Sequence, residues 1–334
     1  MRIGLSYDLK EAIPLIVDSP DDAFEEYDTV ETVEIIVSAL EAKGHTVVKL
    51  GGGIEFVDNV RRSKVDIVFN IAEGRGTYRS REAQVPSILE MLDIPYTGSD
   101  PQCMSICLDK PLSKKLVAAT GISTPQWLVI ANEEELYQVS WDEFPFPAII
   151  KPSYEGSSKG ICLDSIVNNQ EQAFRTVRKL LAYYRQPVMV EGFIAGDEIT
   201  VGLMGNSLPK VLGLMRILPR NKEAHFVYSL EVKRDWKAMV DYECPALIEE
   251  KILNKLADSS IKVFKALECR DFARLDFRVS HDGEPYFIEI NPLPGLGTYS
   301  DLVIMAIKMG WTHETLITAV LDTALERYPQ YACV

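Results

Sequence analysis

Ala273-Arg-Leu-Asp-Phe-Arg-Val-Ser280 and Pro285-Tyr-Phe-Ile-Glu-Ile-Asn291 are the two runs of sequence that decide the fold. Apolar and polar residues alternate in both runs, which is typical of β-strands that bury one face. His281-Asp-Gly283 lies between them, and Asp-Gly is a common hairpin turn. The sequence therefore predicts an antiparallel hairpin near the C-terminal end of the chain.

Four polar residues of this hairpin form a candidate site for metal and phosphate. Residues i and i+2 of a strand point to the same face, so Arg274 shares a face with Asp276, and Glu289 shares one with Asn291. If the strands pair, three oxygen ligands and one guanidinium converge, a set that suits Mg²⁺ together with a substrate phosphate. A solvated hairpin face is the simpler alternative. The rigid turn Pro292-Leu-Pro-Gly-Leu-Gly297 that follows favours the metal site.

Three earlier segments are candidates for nucleotide binding. Lys151 ends a predicted strand and precedes the Gly/Ser turn Pro152-Ser-Tyr-Glu-Gly-Ser-Ser-Lys-Gly160, whose N–H groups suit phosphate oxygens although it is no Walker P-loop. Glu191-Gly-Phe-Ile-Ala-Gly-Asp-Glu198 is a strand end followed by an irregular linker, where a free backbone edge suits adenine and Glu198 suits ribose. Lys110 begins a predicted helix. Taken singly, these segments are better explained as a hairpin turn, a surface turn and a solvated helix charge.

Periodicity divides the chain into three regions, 1–100, 101–190 and 191–334. The first alternates strands and helices, which predicts a parallel sheet with right-handed crossovers. The third contains a polar stretch without clear period, 219–245, which is typical of a functional loop. The predicted strands are 3–6, 46–50, 66–70, 127–130, 147–152, 187–191, 199–204, 211–217, 273–280 and 285–290, and the predicted helices are 29–42, 83–92, 101–108, 110–120, a short one from 132, 168–184, 246–267 and two at the C-terminal end.

Composition sets the class of protein. The chain has 334 residues, of which 47% are apolar and 25% charged, as in globular proteins with a large core. Its net charge of −14 argues against nucleic-acid or anionic-membrane partners. No apolar run is long enough for a membrane helix, and no signal peptide is recognisable. The six cysteines form no CxxC pair, so we expect no zinc cluster. Together these features predict a reducing, cytoplasmic setting. Cys103 and Cys107 are interpreted as buried small side chains.

Taken together, the segments have the order and spacing of the ATP-grasp fold, and the chain resembles the D-alanine–D-alanine ligase family over almost its whole length. The passages that carry the resemblance are Ile94-Pro-Tyr-Thr-Gly-Ser99, Leu108-Asp-Lys110, Ile150-Lys-Pro-Ser-Tyr-Glu-Gly-Ser-Ser158, Glu289-Ile-Asn291 and Leu293-Pro-Gly295.

The resemblance implies a mixed α/β (α+β) architecture and a reaction. An N-terminal parallel α/β substrate domain (1–100) would precede a small central lid subdomain (101–190) and a C-terminal antiparallel-sheet catalytic domain (191–334). The enzyme would be an ADP-forming carboxylate–amine ligase, which phosphorylates a carboxylate with ATP and lets an amine displace the phosphate from the acyl phosphate. The stretch 219–245 would be the lid that excludes water from this intermediate.

The resemblance also implies a role for each matching residue. The ATP ligands would be Lys110 and Lys151 at the phosphates, Ser158 in the covering loop, Glu191 with the backbone of Phe193 and Ile194 at adenine, Glu198 at ribose, and Lys233 at the γ-phosphate. Two Mg²⁺ ions, for which Mn²⁺ is an alternative, would be bound by Asp276, Glu289 and Asn291. The catalytic residues would be Arg274 at the transferring phosphoryl group, Ser157, Lys233, and Gly295, whose N–H would bind the oxyanion.

The substrate-binding half departs from the family. The Gly-Gly turn after the first strand is missing, and the segment up to Asp22 is interpreted as an insertion. The family's glutamate for the first substrate's ammonium group is expected at Glu25, with Glu26 and Asp28 as alternatives, although an acidic helix N-terminus explains all three equally well.

Two further departures concern charge. The family's histidine and Gly-Glu-Asp-Gly run is replaced by a segment with Arg75, Arg79 and Arg81, of which Arg81 is our candidate for an added substrate carboxylate. Ser300 matches a residue that binds the second substrate's carboxylate, whereas Asp301 replaces an apolar residue and would meet an added cation. We therefore expect an amino-acid or similar carboxylate substrate and an amine other than D-alanine.

The leading prediction is a D-alanine–D-alanine ligase-like enzyme that makes D-Ala-D-Ala or joins another amino-acid pair. The alternatives are a nucleotide-binding ATP-grasp module without ligase activity and a small-molecule kinase. The intact set Arg274, Asp276, Glu289 and Asn291 argues against the first alternative, because a binding module need not keep all of them. The expected partners are small-molecule amino acids, and the family implies a homodimer as a possible assembly.

Overall fold

A computed structural model describes residues 1–13, 19–221 and 225–331. Its three sheets, one parallel and two antiparallel, give the mixed α/β architecture that the sequence predicts. Within the described ranges, no helix has the length and apolar character needed to cross a membrane.

The first part of the chain forms a three-stranded parallel sheet with the order β2-β1-β3. The predicted strands and the helices near 30 and 84 are confirmed. The helix from Gly53 to Arg62 was not predicted, because Gly51-Gly-Gly53 reads as a loop and only Phe56 and Val60 are buried. The elements are β1 (Arg2–Ser6), α1 (Val30–Ala42), β2 (Thr46–Gly51), α2 (Gly53–Arg62), β3 (Ile67–Asn70) and α3 (Gln84–Met91).

The middle part forms a four-stranded antiparallel sheet with the order β4-β7-β5-β6, covered by a long amphipathic helix. All of its predicted strands and helices are present. The elements are α4 (Pro101–Leu108), α5 (Lys110–Ala119), β4 (Trp127–Ile130), α6 (Glu133–Leu136), β5 (Ala148–Pro152), β6 (Ile166–Val167), α7 (Gln170–Tyr184) and β7 (Val188–Gly192).

The last part forms a five-stranded antiparallel sheet with the order β10-β9-β8-β11-β12. The prediction of an irregular stretch over 219–245 was wrong for much of its length, because two short helices and a strand lie there. Each has four or five residues, too few for a periodic pattern to stand out. The elements are β8 (Gly196–Met204), β9 (Lys210–Pro219), α8 (Leu230–Arg234), α9 (Trp236–Met239), β10 (Val240–Glu243), α10 (Glu250–Ala266), β11 (Phe272–Ser280), β12 (Pro285–Asn291), α11 (Asp301–Lys308) and α12 (His313–Leu325).

The C-terminal helices share a core with the N-terminal sheet. Ile3 of β1 and Val33 of α1 are buried in one cluster with Leu302 of α11 and Leu316 of α12. Each such fully buried side chain contributes about 1.5–3 kcal/mol. This packing holds α11 and α12 against the first sheet. The hairpin β11–β12 faces the first part of the chain across a cleft that both of them line.

The three buried cysteines lie away from this cleft. Cys103 Sγ is 3.8 Å from Cys107 Sγ and 3.5 Å from Cys269 Sγ, within the apolar core between α4 and β11. The prediction that Cys103 and Cys107 are buried small side chains is confirmed. Cys333 lies outside the described residues.

Candidate active site

The hairpin brings its four polar residues together. β11 and β12 pair with Arg274 opposite Asn291 and Asp276 opposite Glu289. The Arg274 guanidinium donates to both oxygens of Asp276, with Nη2–Oδ2 at 2.9 Å and Nε–Oδ1 at 3.2 Å. Thr200 on β8 donates to Asp276 Oδ1 at 2.9 Å. The predicted pairing is therefore confirmed, and its carboxylates point to one face.

The charges around these carboxylates fit a divalent cation. Burial raises the pKa of Asp276 and, together with the weaker repulsion from Glu289, outweighs the lowering effect of Arg274. Burial would also raise the pKa of Glu289, but the charges of Lys110, Lys151 and Arg274 outweigh it and lower that pKa to about 2. Two carboxylates and an amide oxygen are the donors that Mg²⁺ prefers.

A cavity runs from the hairpin to the linker between β7 and β8. It contains every predicted ATP ligand except Lys110, whose Nζ lies at its edge, 3.5 Å from Glu289 Oε2. Both apolar and charged side chains line it, as a nucleoside and its phosphates require. The residues that line it are Ile149, Lys151, Ser158, Ile161, Glu191, Gly192, Phe193, Ile194, Glu198, Val227, Tyr228, Lys233, Asp276, Phe277, Arg278, Ile288 and Glu289.

Glu191 is held between two lysines at the base of this nucleotide cavity. Lys151 Nζ lies 2.7 Å from Oε2, and Lys114 Nζ lies 2.5 Å from Oε1. Burial lowers the pKa of Lys114 to about 8 despite the charge of Glu191. Lys114 was missed in the sequence, although its position four residues after Lys110 places both on one face of α5.

Arg278 is a second residue that the sequence analysis missed. Its Nε donates to the Ile194 carbonyl at 2.5 Å, its Nη1 donates to Glu198 at 3.2 Å, and its guanidinium lies 4.5 Å from the centre of the Phe193 ring. Burial, with repulsion from Asp276, raises the pKa of Glu198 to about 7 against the effect of Arg278. The i+2 spacing from Asp276 was the signal, because Arg274, Asp276 and Arg278 share one strand face.

The Gly/Ser loop (residues 155–160) closes the cavity from above. Ser157 and Ser158 have φ of 50° and 60°, so both residues adopt the left-handed backbone conformation instead of an extended one. Ser158 Oγ donates to the Tyr228 carbonyl at 3.0 Å. The Lys110 ammonium donates to the Glu155 carbonyl. The loop therefore contacts both the predicted phosphate lysine and the segment that precedes α8.

A second cavity adjoins the first, and Tyr228 and Lys233 line both. Asp301 lies in it, 3.4 Å from Arg274 Nη1, and accepts a hydrogen bond of 3.0 Å from the Tyr228 hydroxyl. We call it the substrate cavity after the substrate residues predicted there. The other residues that line it are Lys10, Glu25, Glu26, Tyr27, Asp28, Thr29, Glu73, Ser157, Leu230, Arg234, Trp236, Arg274, Asn291, Gly295, Tyr299 and Ser300.

Comparison with known proteins decides the family. Residues 116–322 match the family model described as D-ala D-ala ligase C-terminus. This chain belongs to the D-alanine–D-alanine ligase family. The D-alanine–D-alanine ligase of Aquifex aeolicus is 35% identical over 295 residues, which cover 88% of this chain and 94% of that protein. The protein y4sG of Sinorhizobium fredii is 34% identical over 302 residues, covering 88% and 87%.

A solved structure supports the fold independently. The D-alanine–D-alanine ligase from Bacillus anthracis, crystallised in complex with ATP, superposes with a TM-score of 0.75 at 24% identity and covers 99% of each chain. The sequence-based prediction of an ATP-dependent ligase with the ATP-grasp fold is confirmed. The division into three domains stays a prediction.

Three of the four predicted substrate residues line the substrate cavity, and Arg81 does not. Glu25, Ser300 and Asp301 line the substrate cavity, as do Glu26 and Asp28. Glu25 is paired with Arg234 Nη2 at 2.5 Å and Lys10 Nζ at 3.8 Å. We expected Asp301 to meet a cation of the substrate, but in the structure its carboxylate pairs with Arg274 of the protein itself.

Arg81 does not line the cavity and is 1% exposed. Its donors reach Glu26, Glu155 and the Tyr154 carbonyl, so no donor is directed towards a substrate carboxylate. Arg75 likewise pairs with Asp8 at 2.5 Å, and Arg79 lies on the surface, 3.7 Å from Asp109. The three arginines of the segment that departs from the family therefore pair with carboxylates of the protein itself.

Proposed function

We propose that this ligase joins the carboxylate of one amino acid, or a similar acid, to the amine of a second substrate through an acyl phosphate. The observation that carries the proposal is the junction of the two cavities. Tyr228 and Lys233 line both of them. A nucleotide in the first cavity would thus present its terminal phosphate to a carboxylate in the second.

The residues at this junction suit phosphoryl transfer. Lys233 Nζ lies 5.1 Å from the Tyr228 ring centre and has no ion pair with another described residue, so it is free to bind the γ-phosphate. Arg274 lies between Asp276 and Asp301 and would stabilise charge on the transferring group. Lys110 and Lys151 would bind the remaining phosphate oxygens.

Asp276, Glu289 and Asn291 would bind the metal. When bound, Mg²⁺ would polarise the phosphoryl oxygens and offset the charge that develops on them. The family implies two ions, with Mn²⁺ as a substitute. Asn291 Oδ1 accepts from the Leu293 N–H at 2.9 Å, which fixes the amide plane and leaves oxygen lone-pair density for a cation.

Gly295 is suited to the oxyanion role by its lack of a side chain. A Cβ built there would lie 2.8 Å from Ser300 Oγ, so any larger residue would require the Ser300 side chain to shift. The Gly/Ser loop and the segment through α8 would exclude water from the acyl phosphate. Ser157 lines the substrate side and Ser158 the nucleotide side of the loop.

The substrate cavity is ionic, which supports a substrate pair other than two alanines. Acidic and basic side chains from the first and last parts of the chain line it, whereas a methyl group needs apolar contacts. The charged residues are Lys10, Glu25, Glu26, Asp28, Glu73, Lys233, Arg234, Arg274 and Asp301. The cytoplasmic location and the homodimer that the family implies stay predictions.

The experiment is a screen of amino-acid pairs with ATP and Mg²⁺, read by ADP release and product mass. A product whose mass is the sum of two substrates minus water supports the ligase. A phosphorylated single substrate would indicate a kinase, and ATP binding without ADP release would indicate a binding module. Exclusive formation of D-Ala-D-Ala would contradict the altered substrates but not the ligation.

A further inference from the structure

Four charged side chains are buried where the first part of the chain meets the Gly/Ser loop. Glu26 and Arg81 come from the first part, and Glu155 and Lys159 from the loop. None of the four residues exposes more than 8% of its surface. They form a buried ion-pair cluster that ties the N-terminal part to the loop over the nucleotide cavity.

Each charge of the cluster is paired with charges of the opposite sign. Arg81 Nη2 lies 2.8 Å from Glu26 and 3.2 Å from Glu155, and Lys159 Nζ lies 2.9 Å from Glu26 and also contacts Glu155. Each carboxylate therefore meets both cations, and the formal charges cancel. Burial alone would raise the pKa of Glu26, but Lys159 and Arg81 outweigh it and lower that pKa to about 2.

A neighbouring contact ties the interpreted insertion to the same loop. Asp22 Oδ2 accepts from the Gly160 N–H at 2.8 Å, and the Tyr184 hydroxyl donates to the same carboxylate at 2.6 Å. The Asp21 N–H donates to the Tyr183 hydroxyl at 3.0 Å. The described segment before α1 thus docks on the end of the loop and on the last turn of α7.

Glu155 connects this cluster to the phosphate site. Its carboxylate lies in the cluster, while its carbonyl accepts from Lys110, whose Nζ lies 3.5 Å from Glu289. A displacement of the Glu155 side chain would therefore move the backbone against which Lys110 is oriented. It would also move Ser157 and Ser158, which follow directly.

We propose that Arg81 and Glu26 are positioning residues that hold the Gly/Ser loop and Lys110 over the nucleotide's phosphates. This inference rests on the proposed function of the nucleotide cavity. The N-terminal part then has a role beyond the substrate cavity, because it completes the ATP site without touching ATP.

The test compares binding of a non-hydrolysable ATP analogue with binding of adenosine, both by calorimetry with Mg²⁺ and the full chain. In the proposed site the loop would cover the phosphates and not the base, so Arg81→Met is expected to weaken the analogue at least tenfold and adenosine less than twofold. Arg81→Lys is expected to recover part of the loss. Arg61→Met, an exposed arginine of α2, is the matched control and is expected to change neither.

Equal weakening of both ligands, or unchanged binding of the analogue, would overturn the inference. If Arg81→Met does not fold, Glu26→Gln provides the same comparison, because it removes one charge from the same cluster and keeps the size of the side chain. An analogue that fails to bind the unmodified protein would instead overturn the proposed function, so the two failures are distinguishable.

Discussion

Asp276 and Glu289 lie directly opposite each other on β11 and β12, and each is balanced by a different cation of the protein. Arg274 contacts Asp276 at 2.9 Å, and Lys110 lies 3.5 Å from Glu289. A like-charged pair in register destabilises a sheet unless something bridges it. We therefore propose that a divalent ion bridges the two carboxylates when it is bound.

Glu289→Gln tests this metal assignment. An amide is a weaker ligand for Mg²⁺, so ADP release is expected to fall about 100-fold or more. The fold should persist, because removing one of two facing carboxylates relieves repulsion. Thermal unfolding checks the fold, and Glu284→Gln, in the same hairpin, is the control. Near-normal turnover of the Glu289 variant would remove this residue from the metal site.

Lys151→Met tests the nucleotide cavity. Glu191 keeps Lys114 at 2.5 Å, so the base of the cavity stays neutralised and the protein should fold. Loss of the phosphate contact is expected to weaken ATP at least tenfold, or about 1.4 kcal/mol. Equilibrium binding measures the effect, with exposed Lys115→Met as the control. Unchanged affinity would show that Lys151 serves only as the partner of Glu191.

Asp28→Asn tests the buried charge of the substrate cavity. Burial, with repulsion from Asp8, raises the pKa of Asp28 to about 7 against the effect of Lys10. The folded state therefore keeps a proton that the unfolded state loses near pH 4, and stability contributed by Asp28 falls as pH rises from 4 to 7.

The asparagine of the variant does not titrate, so the Asp28→Asn protein does not lose this stability as the pH rises. The free energy of unfolding of the variant minus that of the parent protein is expected to increase by about 3 kcal/mol between pH 5 and pH 8.5. Urea unfolding at the two pH values measures this difference. The same difference between variant and parent at both values would contradict the raised pKa.

Asp301→Leu tests the substrate assignment. The change introduces the apolar character that the resemblance implies for this position and frees one side of Arg274. We expect the ratio of kcat/KM for alanine to that for a charged or polar amine to rise at least tenfold, since about 1.4 kcal/mol separates the two environments. Asp282→Asn, in the exposed hairpin turn, is the control. An unchanged ratio would place Asp301 outside substrate selection.

The hairpin could be predicted from the sequence because its information is local. Alternation fixes which residues of β11 share a face, and Asp-Gly fixes the turn. The same rule extended by two residues reaches Arg278, which was overlooked. Helix α2 was missed because glycines begin it and few apolar residues mark its buried face.

The contacts of Lys114 and Arg81 could not be predicted in this way. Lys114 meets Glu191 only because α5 packs beside β12, where its Nζ also donates to the Phe287 carbonyl at 3.0 Å. Arg81 and Glu155 are 74 positions apart and meet across two parts of the chain. A charge in a sequence does not reveal its partner, so Arg81 resembled a substrate residue until the fold supplied Glu26 and Glu155.

The most direct measurement of the central claim uses a carboxylate substrate labelled with ¹⁸O in both carboxyl oxygens. In the proposed reaction one carboxyl oxygen bonds to the γ-phosphorus and stays with phosphate when the amine attacks the carbonyl carbon. The account predicts ADP and inorganic phosphate that carries one ¹⁸O per molecule, in equal amounts. Unlabelled phosphate released with ADP would show that the protein only hydrolyses ATP and would contradict the acyl-phosphate ligase.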